Sequence, residues 1–266
     1  VAAVIGDPVR HSWSPAIFDA GFEAAGLDWT YVAFEVSPAS LADALAGARA
    51  LGLAGLNVTT PHKDAVAALV DELSPRAAAL RAVNCVTVVD GRLLGDNTDG
   101  QGFVDALGWA EVAVVGRRIA VLGAGGAARA IVAALGEHGA ADVAVVNRTA
   151  DRAVAAAALA GPAGRAGTTA DLERADLVVN ATSVGFGDPD ALPVEPELIR
   201  PEHVVVDVVY HPLHTALLRE AQRRGARTVD GLGMLVGQAA VAFERWCGVA
   251  APVEAMRRAA ESQLAR

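Results

Sequence analysis

Short, nearly continuous apolar runs alternate along this chain with longer Ala/Leu-rich amphipathic stretches. A strand covered on both faces by helices needs apolar residues at successive positions, so this alternation predicts βα units around a parallel sheet. In the first third, residues 2–6, 30–36, 55–58 and 83–89 are predicted strands, and 15–25, 41–51 and 63–73 predicted helices. Pro15 and Pro38 suit first helical turns, where a missing N–H costs nothing, and Gly26 and Gly52 suit helix ends. A second block starts near Gly102: strand 119–122, helix 127–137, strand 143–146, helix 151–159, then strands 177–180 and 204–208. The Gly- and Pro-rich stretches 161–167 and 185–196 read as loops, and 234–246 and 253–264 as closing helices. The expected fold is α/β with two domains facing a cleft. One is residues 1–101 completed by C-terminal helices 238–266; the other, 102–237, is a doubly wound domain of Rossmann type.

Composition narrows the function classes. Of 266 residues, 53% are hydrophobic and only 5% aromatic, so Ala, Val and Leu must fill the interiors. A net charge of −9, with no basic run interleaved with aromatics, argues against a nucleic-acid or anionic-membrane partner. Apolar stretches are broken before they reach a membrane-spanning length, and the first one ends at once in Gly6-Asp7-Pro8, unlike a secretory leader. Cys85 and Cys247 belong to no CxxC pair and read as reduced thiols, so a cytoplasmic protein is expected. His211 and His214 are spaced like metal ligands but lack a nearby third ligand, and Asp188-Pro189-Asp190 reads as a turn; no metal is expected. More telling is that 21 of the 22 basic residues are arginine. The single lysine, Lys63, is the one cation here whose ammonium can be titrated by its surroundings, which a guanidinium cannot.

The sharpest local pattern is the strand Arg118-Ile119-Ala120-Val121-Leu122 followed by Gly123-Ala124-Gly125-Gly126-Ala127-Ala128 and a helix. In a G-x-G-x-x-A turn the first glycine permits the tight bend. The second lets the backbone approach a pyrophosphate, and the small third residue lets helix and strand pack closely. About 20 residues on, an NAD site places an acid at the end of the second strand. Here the strand ends in Asn147-Arg148-Thr149-Ala150-Asp151-Arg152. Arg148 and Arg152, with the Thr149 hydroxyl, suit a 2′-phosphate, which favours NADP; the alternative is that they are solvated cations at a helix start.

Polar clusters also follow the first-third strands: Ser12 and Ser14 just before a helix, Asn57-Val58-Thr59-Thr60-Pro61-His62-Lys63, Ala82-Val83-Asn84, and Gly95-Asp96-Asn97-Thr98-Asp99-Gly100. The two serines can donate to one carboxylate, or one can be an N-cap. Polar side chains so dense around short strands are costly to bury unless they meet a polar ligand. Taken with GAGGAxR, NRTxxR, NATSxG and DGLGMLxxQA, in that order over nearly the whole chain, these segments resemble the shikimate dehydrogenase family.

The resemblance implies a small-molecule substrate and reversible reduction of 3-dehydroshikimate to shikimate by NADPH, a step of aromatic amino acid biosynthesis. It implies that Lys63 is the catalytic lysine, with Asp99 its partner. Ser12, Ser14 and Thr59 correspond to contacts to the ring and its carboxylate, Asn84 and Gln238 (with Asp99) to contacts to the ring hydroxyls, and Tyr210 to a further substrate contact. Gly123, Ala124, Gly125, Gly126 and Ala127, then Asn147, Arg148, Thr149 and Arg152, correspond to NADP contacts. Val208 and Gly231 correspond to the nicotinamide lining. The departures are Trp13 between the serines, Cys85 for a common threonine, Val208 for a frequent methionine, and His62 beside the lysine. His62 either lowers the lysine's pKa or packs as a neutral imidazole. Two rival readings stay open. One is a quinate/shikimate or aminoshikimate dehydrogenase of relaxed substrate or cofactor choice; the other is a non-catalytic NADPH-sensing module. A homodimer is an open option.

Overall fold

The computed structural model describes residues 1–264, so the last two positions of the expected 238–266 helical segment lie outside the described residues. The chain divides into two compact units, one formed by Val1–Thr98 with the chain from Val236 onward, the other by Asp99–Leu235.

In the first unit, β1 (Ala2–Gly6), α1 (Ser14–Ala24), β2 (Tyr31–Glu35), α2 (Leu41–Ala50) and β3 (Gly55–Val58) follow the predicted alternation. They are followed by α3 (Lys63–Ala67), β4 (Glu72–Leu73), α4 (Pro75–Leu80), β5 (Cys85–Val89) and β6 (Arg92–Asp96). The strand order is β2-β1-β3-β5-β6-β4. β1 lies parallel to β2 and β3, but β5 is antiparallel to both β3 and β6. The all-parallel expectation therefore fails in this half. For β5 and β6 the cause is the turn Asp90-Gly91, at φ 50° and 73°, which is the left-handed pair a two-residue hairpin requires.

The helix expected over 63–73 also needs correcting, since it stops at Ala67. Asp71 takes the chain out of the helix: its N–H donates to the Leu93 carbonyl (2.9 Å) and its carboxylate accepts the Leu93 N–H (2.7 Å). Ser74 then caps α4 by accepting the Ala77 N–H (3.1 Å), with Pro75 in the first turn.

The second unit contains α5 (Asp99–Trp109), β7 (Arg118–Leu122), α6 (Gly126–Glu137), β8 (Asp142–Val146), α7 (Ala150–Ala157), β9 (Gly164–Gly167), β10 (Leu177–Asn180), β11 (Val204–Asp207), α8 (Ala216–Arg223) and β12 (Arg227–Val229). Every strand pair is parallel, in the order β12-β11-β10-β7-β8-β9. Read from β9, that is third, second, first, fourth, fifth, sixth: the Rossmann order, with its switch point between β7 and β10. The stretch 161–167, expected to be loop, contains β9. Glycine is needed there because a Cβ on Gly164 would lie 1.9 Å from the Ala157 carbonyl oxygen.

The scarcity of aromatics shows in this core. Ala128, Ala130, Ile131, Val132, Ala133, Ala134 and Leu135 of α6 are all buried, and Gly136 approaches the Ala160 backbone so closely that a Cβ would sit 2.6 Å from it. Small residues replace ring area with close backbone packing.

The chain closes with α9 (Leu232–Cys247) and α10 (Val253–Gln263). From Val236 on they complete the first unit. Phe243 stacks on Phe22 at 5.5 Å, and Trp246 stacks on Phe18 at 5.3 Å while donating its indole N–H to the Val86 carbonyl (3.2 Å). Gly55 makes room for that indole, since a Cβ there would meet it at 2.2 Å.

One histidine gives the second unit a pH dependence. His203 is buried, and its Nδ1 accepts the Arg200 N–H (3.1 Å), so the neutral ring carries its proton on Nε2. Burial, then the Arg200 charge, push its pKa below the ordinary value. The unfolded chain therefore binds the proton first, from about pH 6.5 downward, and stability is expected to fall as pH drops from there toward the lower folded value. In His203→Gln, urea midpoints measured between about pH 7.5 and 5 should show a flatter decline. An unchanged slope would remove His203 as its source.

Candidate active site

Two loops of the first unit are knitted together at the carboxyl ends of β1 and β3. The Thr59 N–H donates to the Ile5 carbonyl (3.0 Å) and the Asp7 N–H to the Thr60 carbonyl (3.0 Å). Gly6 allows this approach, because a Cβ there would lie 2.4 Å from the Thr59 methyl. On the β1 side, Ser12 and Ser14 are bonded to each other. The Ser14 N–H donates to the Ser12 hydroxyl oxygen (3.2 Å), which leaves the Ser12 proton available to a ligand. Neither serine is the N-cap: that position is Trp13, without a side-chain cap, and Ser14 is the first helical residue. The capping alternative is thereby set aside.

On the β3 side, the Thr59 carbonyl accepts the His62 N–H (3.0 Å), and the chain enters α3 with Lys63 as its first, half-buried residue. The Lys63 carbonyl accepts the Val83 N–H (2.9 Å), which fixes its backbone to the strand-like segment before β5. His62 is buried, with Nε2 at 2.7 Å from the Val36 carbonyl oxygen. A carbonyl only accepts, so that nitrogen carries a proton and the ring anchors the end of β2.

Asn84 sits where β5 begins. Its carbonyl accepts the Val58 N–H (2.8 Å) and the Asn57 amide (3.3 Å), and its own amide engages Thr98: Oδ1 accepts the Thr98 N–H (2.7 Å) and Nδ2 donates to the Thr98 hydroxyl (3.0 Å). Asn57 in turn accepts from the Tyr31 hydroxyl (2.6 Å). Burial pushes that phenol well above its ordinary pKa, so it is a neutral donor. Asp96 is tied to Ser74, to the Asn97 N–H and to Arg245 of α9. These bonds hold the 96–98 segment. Asn57, Asp96 and Thr98 stood in the polar clusters of the sequence without a role of their own, and Tyr31 was read only as part of a strand. Gln238 is half-buried on α9.

In the second unit, Gly123 ends β7 at φ 105°, with its N–H donating to the Val146 carbonyl (2.8 Å). A Cβ at Gly123 would meet the Ala181 carbonyl oxygen at 2.9 Å. Gly125 is the N-cap of α6 and supplies no side chain, so the first-turn N–H groups are left for a phosphate, with the helix dipole behind them. Ala124, Gly126 and Ala127 line this turn, and Ala128 is fully buried, as close helix packing demands. Beyond β8, the Asn147 amide donates to the Thr149 carbonyl (3.0 Å) and Thr149 is the N-cap of α7. Arg148, Thr149 and Arg152 are exposed, and neither arginine is ion-paired among the described residues, unlike Arg118, Arg165, Arg219 and Arg223 of the same unit. These residues fit a dinucleotide with a 2′-phosphate. Gly123→Ala is expected to weaken NADPH binding about tenfold or more, since strain at positive φ adds to the clash. Fluorescence titration of NADPH checks this, and wild-type affinity in that variant would contradict it.

Asp99 is the first residue of α5 and is buried. Tyr210 and Val208 follow β11, and burial pushes the Tyr210 phenol above its ordinary pKa. Gly231 lies against that loop so closely that a Cβ would be 2.5 Å from the Val208 carbonyl oxygen. No group of three or more His, Cys, Asp or Glu side chains able to hold a metal occurs among the described residues, nor any helix long and apolar enough to cross a membrane.

An α/β unit rich in polar strand ends, followed by a parallel sheet in Rossmann order with a G-x-G-x-x-A turn, defines the class of dinucleotide-binding proteins. Residues 4–86 match the shikimate dehydrogenase substrate binding domain, 110–185 the shikimate / quinate 5-dehydrogenase family, and 231–261 the shikimate 5'-dehydrogenase C-terminal domain. The shikimate dehydrogenase (NADP(+)) of Symbiobacterium thermophilum is 46% identical, over 99% of this chain and 94% of its own. That of Moorella thermoacetica is 45% identical, over 97% and 91%. The solved shikimate 5-dehydrogenase of Thermus thermophilus, in complex with NADP(H) and shikimate, superposes with a TM-score of 0.94 at 42% identity, covering 99% of each chain. The chain belongs to the shikimate dehydrogenase family.

Proposed function

We propose that the protein catalyses the reversible NADPH-dependent reduction of 3-dehydroshikimate to shikimate. The observation that carries this reading is the placement of the only lysine. Lys63 stands at the carboxyl end of β3, beside Thr59, in a loop bonded to the serine-bearing loop of β1. Most of the substrate contacts are assigned to the first unit and NADP to the second.

NADPH supplies the hydride to the ring carbonyl carbon. Negative charge then develops on the carbonyl oxygen, and Lys63 as ammonium stabilises that charge and delivers the proton. Asp99 is assigned as the carboxylate of the catalytic pair. Ser12, Ser14 and Thr59 hold the substrate carboxylate and ring, with Tyr210 as a further contact, and Asn84 and Gln238 hold the ring hydroxyls. Asn84 presents an amide already oriented by Thr98. Arg148, Arg152, Thr149 and Asn147 take the 2′-phosphate end, and Val208 and Gly231 line the nicotinamide. The enzyme is assigned to the cytoplasm, as a monomer or a homodimer.

The test is growth of NADPH absorbance with shikimate plus NADP, beside quinate and NAD controls. A preference for quinate would move the assignment to the relaxed-specificity rival. A folded protein that binds NADPH but turns over none of these substrates would favour the sensing module.

A further inference from the structure

Asp207 is fully buried at the carboxyl end of β11, and no step of the proposed mechanism uses it. Its Oδ1 accepts the Asn180 amide (2.9 Å) and the Val209 N–H (3.0 Å), and its Oδ2 accepts the Thr215 hydroxyl (2.7 Å). The Thr215 oxygen accepts the Leu218 N–H (3.3 Å), so its own proton is free to point at the carboxylate. All three donors are neutral dipoles, and no cation pairs with Asp207 among the described residues. Burial, the largest influence, raises the carboxyl's pKa above the ordinary carboxylate value, while the three donors favour the charged form; once ionised, it is a negative charge inside the unit with no opposite charge to cancel it.

The location gives that charge a target. In a sheet of Rossmann order the two halves of a dinucleotide lie on either side of the switch point, with the pyrophosphate at the first βα turn. The arginines after β8 mark the 2′-phosphate half, so the nicotinamide half falls over the ends of β10 and β11. Asn180 and Asp207 sit at those two ends, bonded to each other. The same Asn180 orders the loop after β10: its Oδ1 accepts from the Thr182 N–H (3.1 Å) and hydroxyl (2.7 Å), and that loop is the one packed on Gly123.

We infer that the buried Asp207 carboxylate biases the site toward the oxidised, positively charged nicotinamide. This rests on the NADP reading of the second unit. NADP+ and NADPH carry the same adenosine and phosphates and differ by one positive charge on the ring. The ratio of their dissociation constants therefore isolates the field at the ring, and every contact common to both forms cancels.

The test is titration of NADP+ by calorimetry and of NADPH by fluorescence, at mildly alkaline pH, for the wild type and three variants. In Asp207→Asn the carboxamide can still accept both N–H donors and donate to Thr215, so the loops keep their bonds while the charge goes. Asp207→Ala is the second neutral variant. Thr215→Val removes a donor but keeps the charge. The expected result is that both neutral variants raise Kd(NADP+)/Kd(NADPH) by about tenfold, the size of one charge acting across a protein interior, while Thr215→Val leaves the ratio unchanged. If Asp207→Asn weakens both forms equally, or alters neither, the inference is overturned and Asp207 is a loop tie only. Failure of the wild type to bind either form would instead remove the NADP reading, and it would be evident before any variant is compared.

Discussion

Lys63→Ala is expected to lower kcat for shikimate oxidation by about 100-fold or more, with the KM for shikimate little changed. The asymmetry follows from when the ammonium acts. In the ground state the ring oxygen is neutral and has other polar partners, so one lost contact costs little binding. In the transition state that oxygen is becoming an alkoxide, or ceasing to be one, and the Lys63 ammonium supplies the charge and the proton that match it. Lys63→Arg separates the two roles. A guanidinium preserves the charge but holds its proton at every working pH, and its planar fork does not fit the space of a compact ammonium. The arginine variant should therefore be nearly as impaired as the alanine one. A Lys63→Arg enzyme with near wild-type kcat would end the catalytic assignment.

The second large effect concerns cofactor choice. Removing both side chains in Arg148→Ala/Arg152→Ala should raise the KM for NADP by about 100-fold while leaving the poorer KM for NAD within about twofold, because each charge-assisted bond to a phosphate at an exposed site accounts for about tenfold. Both guanidiniums are exposed and carry no ion pair among the described residues, so the free protein loses nothing when they are removed. That absence makes the experiment clean, because stability should not change with affinity. Steady-state kinetics with each cofactor decides it. If NADP and NAD suffer equally, the arginines are solvated helix-start cations, and discrimination lies elsewhere.

Much of this was legible in the residues. The second unit's central strands β7, β8, β10 and β11 are largely buried, so their apolar runs announce themselves, and the turn after β7 has a spacing that few other structures need. Lys63 was legible for a different reason: composition left it as the one lysine. The unread parts depend on partners far along the chain. α3 ends early because Asp71 bonds to Leu93, and no property of 63–73 itself reveals that. The antiparallel pairing of β5 and β6 was signalled by Asp90-Gly91, a hairpin pair that the dominant βα rhythm overshadowed. β9 was hidden because its glycines, required by backbone contact with Ala157 and side-chain contact with Ala144, look like loop residues. In the sites, the side chains expected to touch ligands were visible as types, while those that orient them were not. Thr98 for Asn84, and Asp207 for the ends of β10 and β11, became evident only when folding joined distant segments. Asp207 left one clue, an acid closing an apolar strand.

The aromatic and glycine contacts between α1, β3 and the last helices also set an order of events during synthesis. Gly21 awaits Met256, whose side chain would lie 3.2 Å from a Cβ there, Phe22 awaits Phe243, and the groove at Gly55 awaits Trp246. Residues 99–235 emerge from the ribosome in between and hold all six strands of their own sheet, so they can fold while translation continues. The first unit, although translated first, must wait for the final helices before its hydrophobic face is closed. The apolar face of the first unit around Gly21, Phe22 and Gly55 is thus closed only after the helices beyond Val236 have been made.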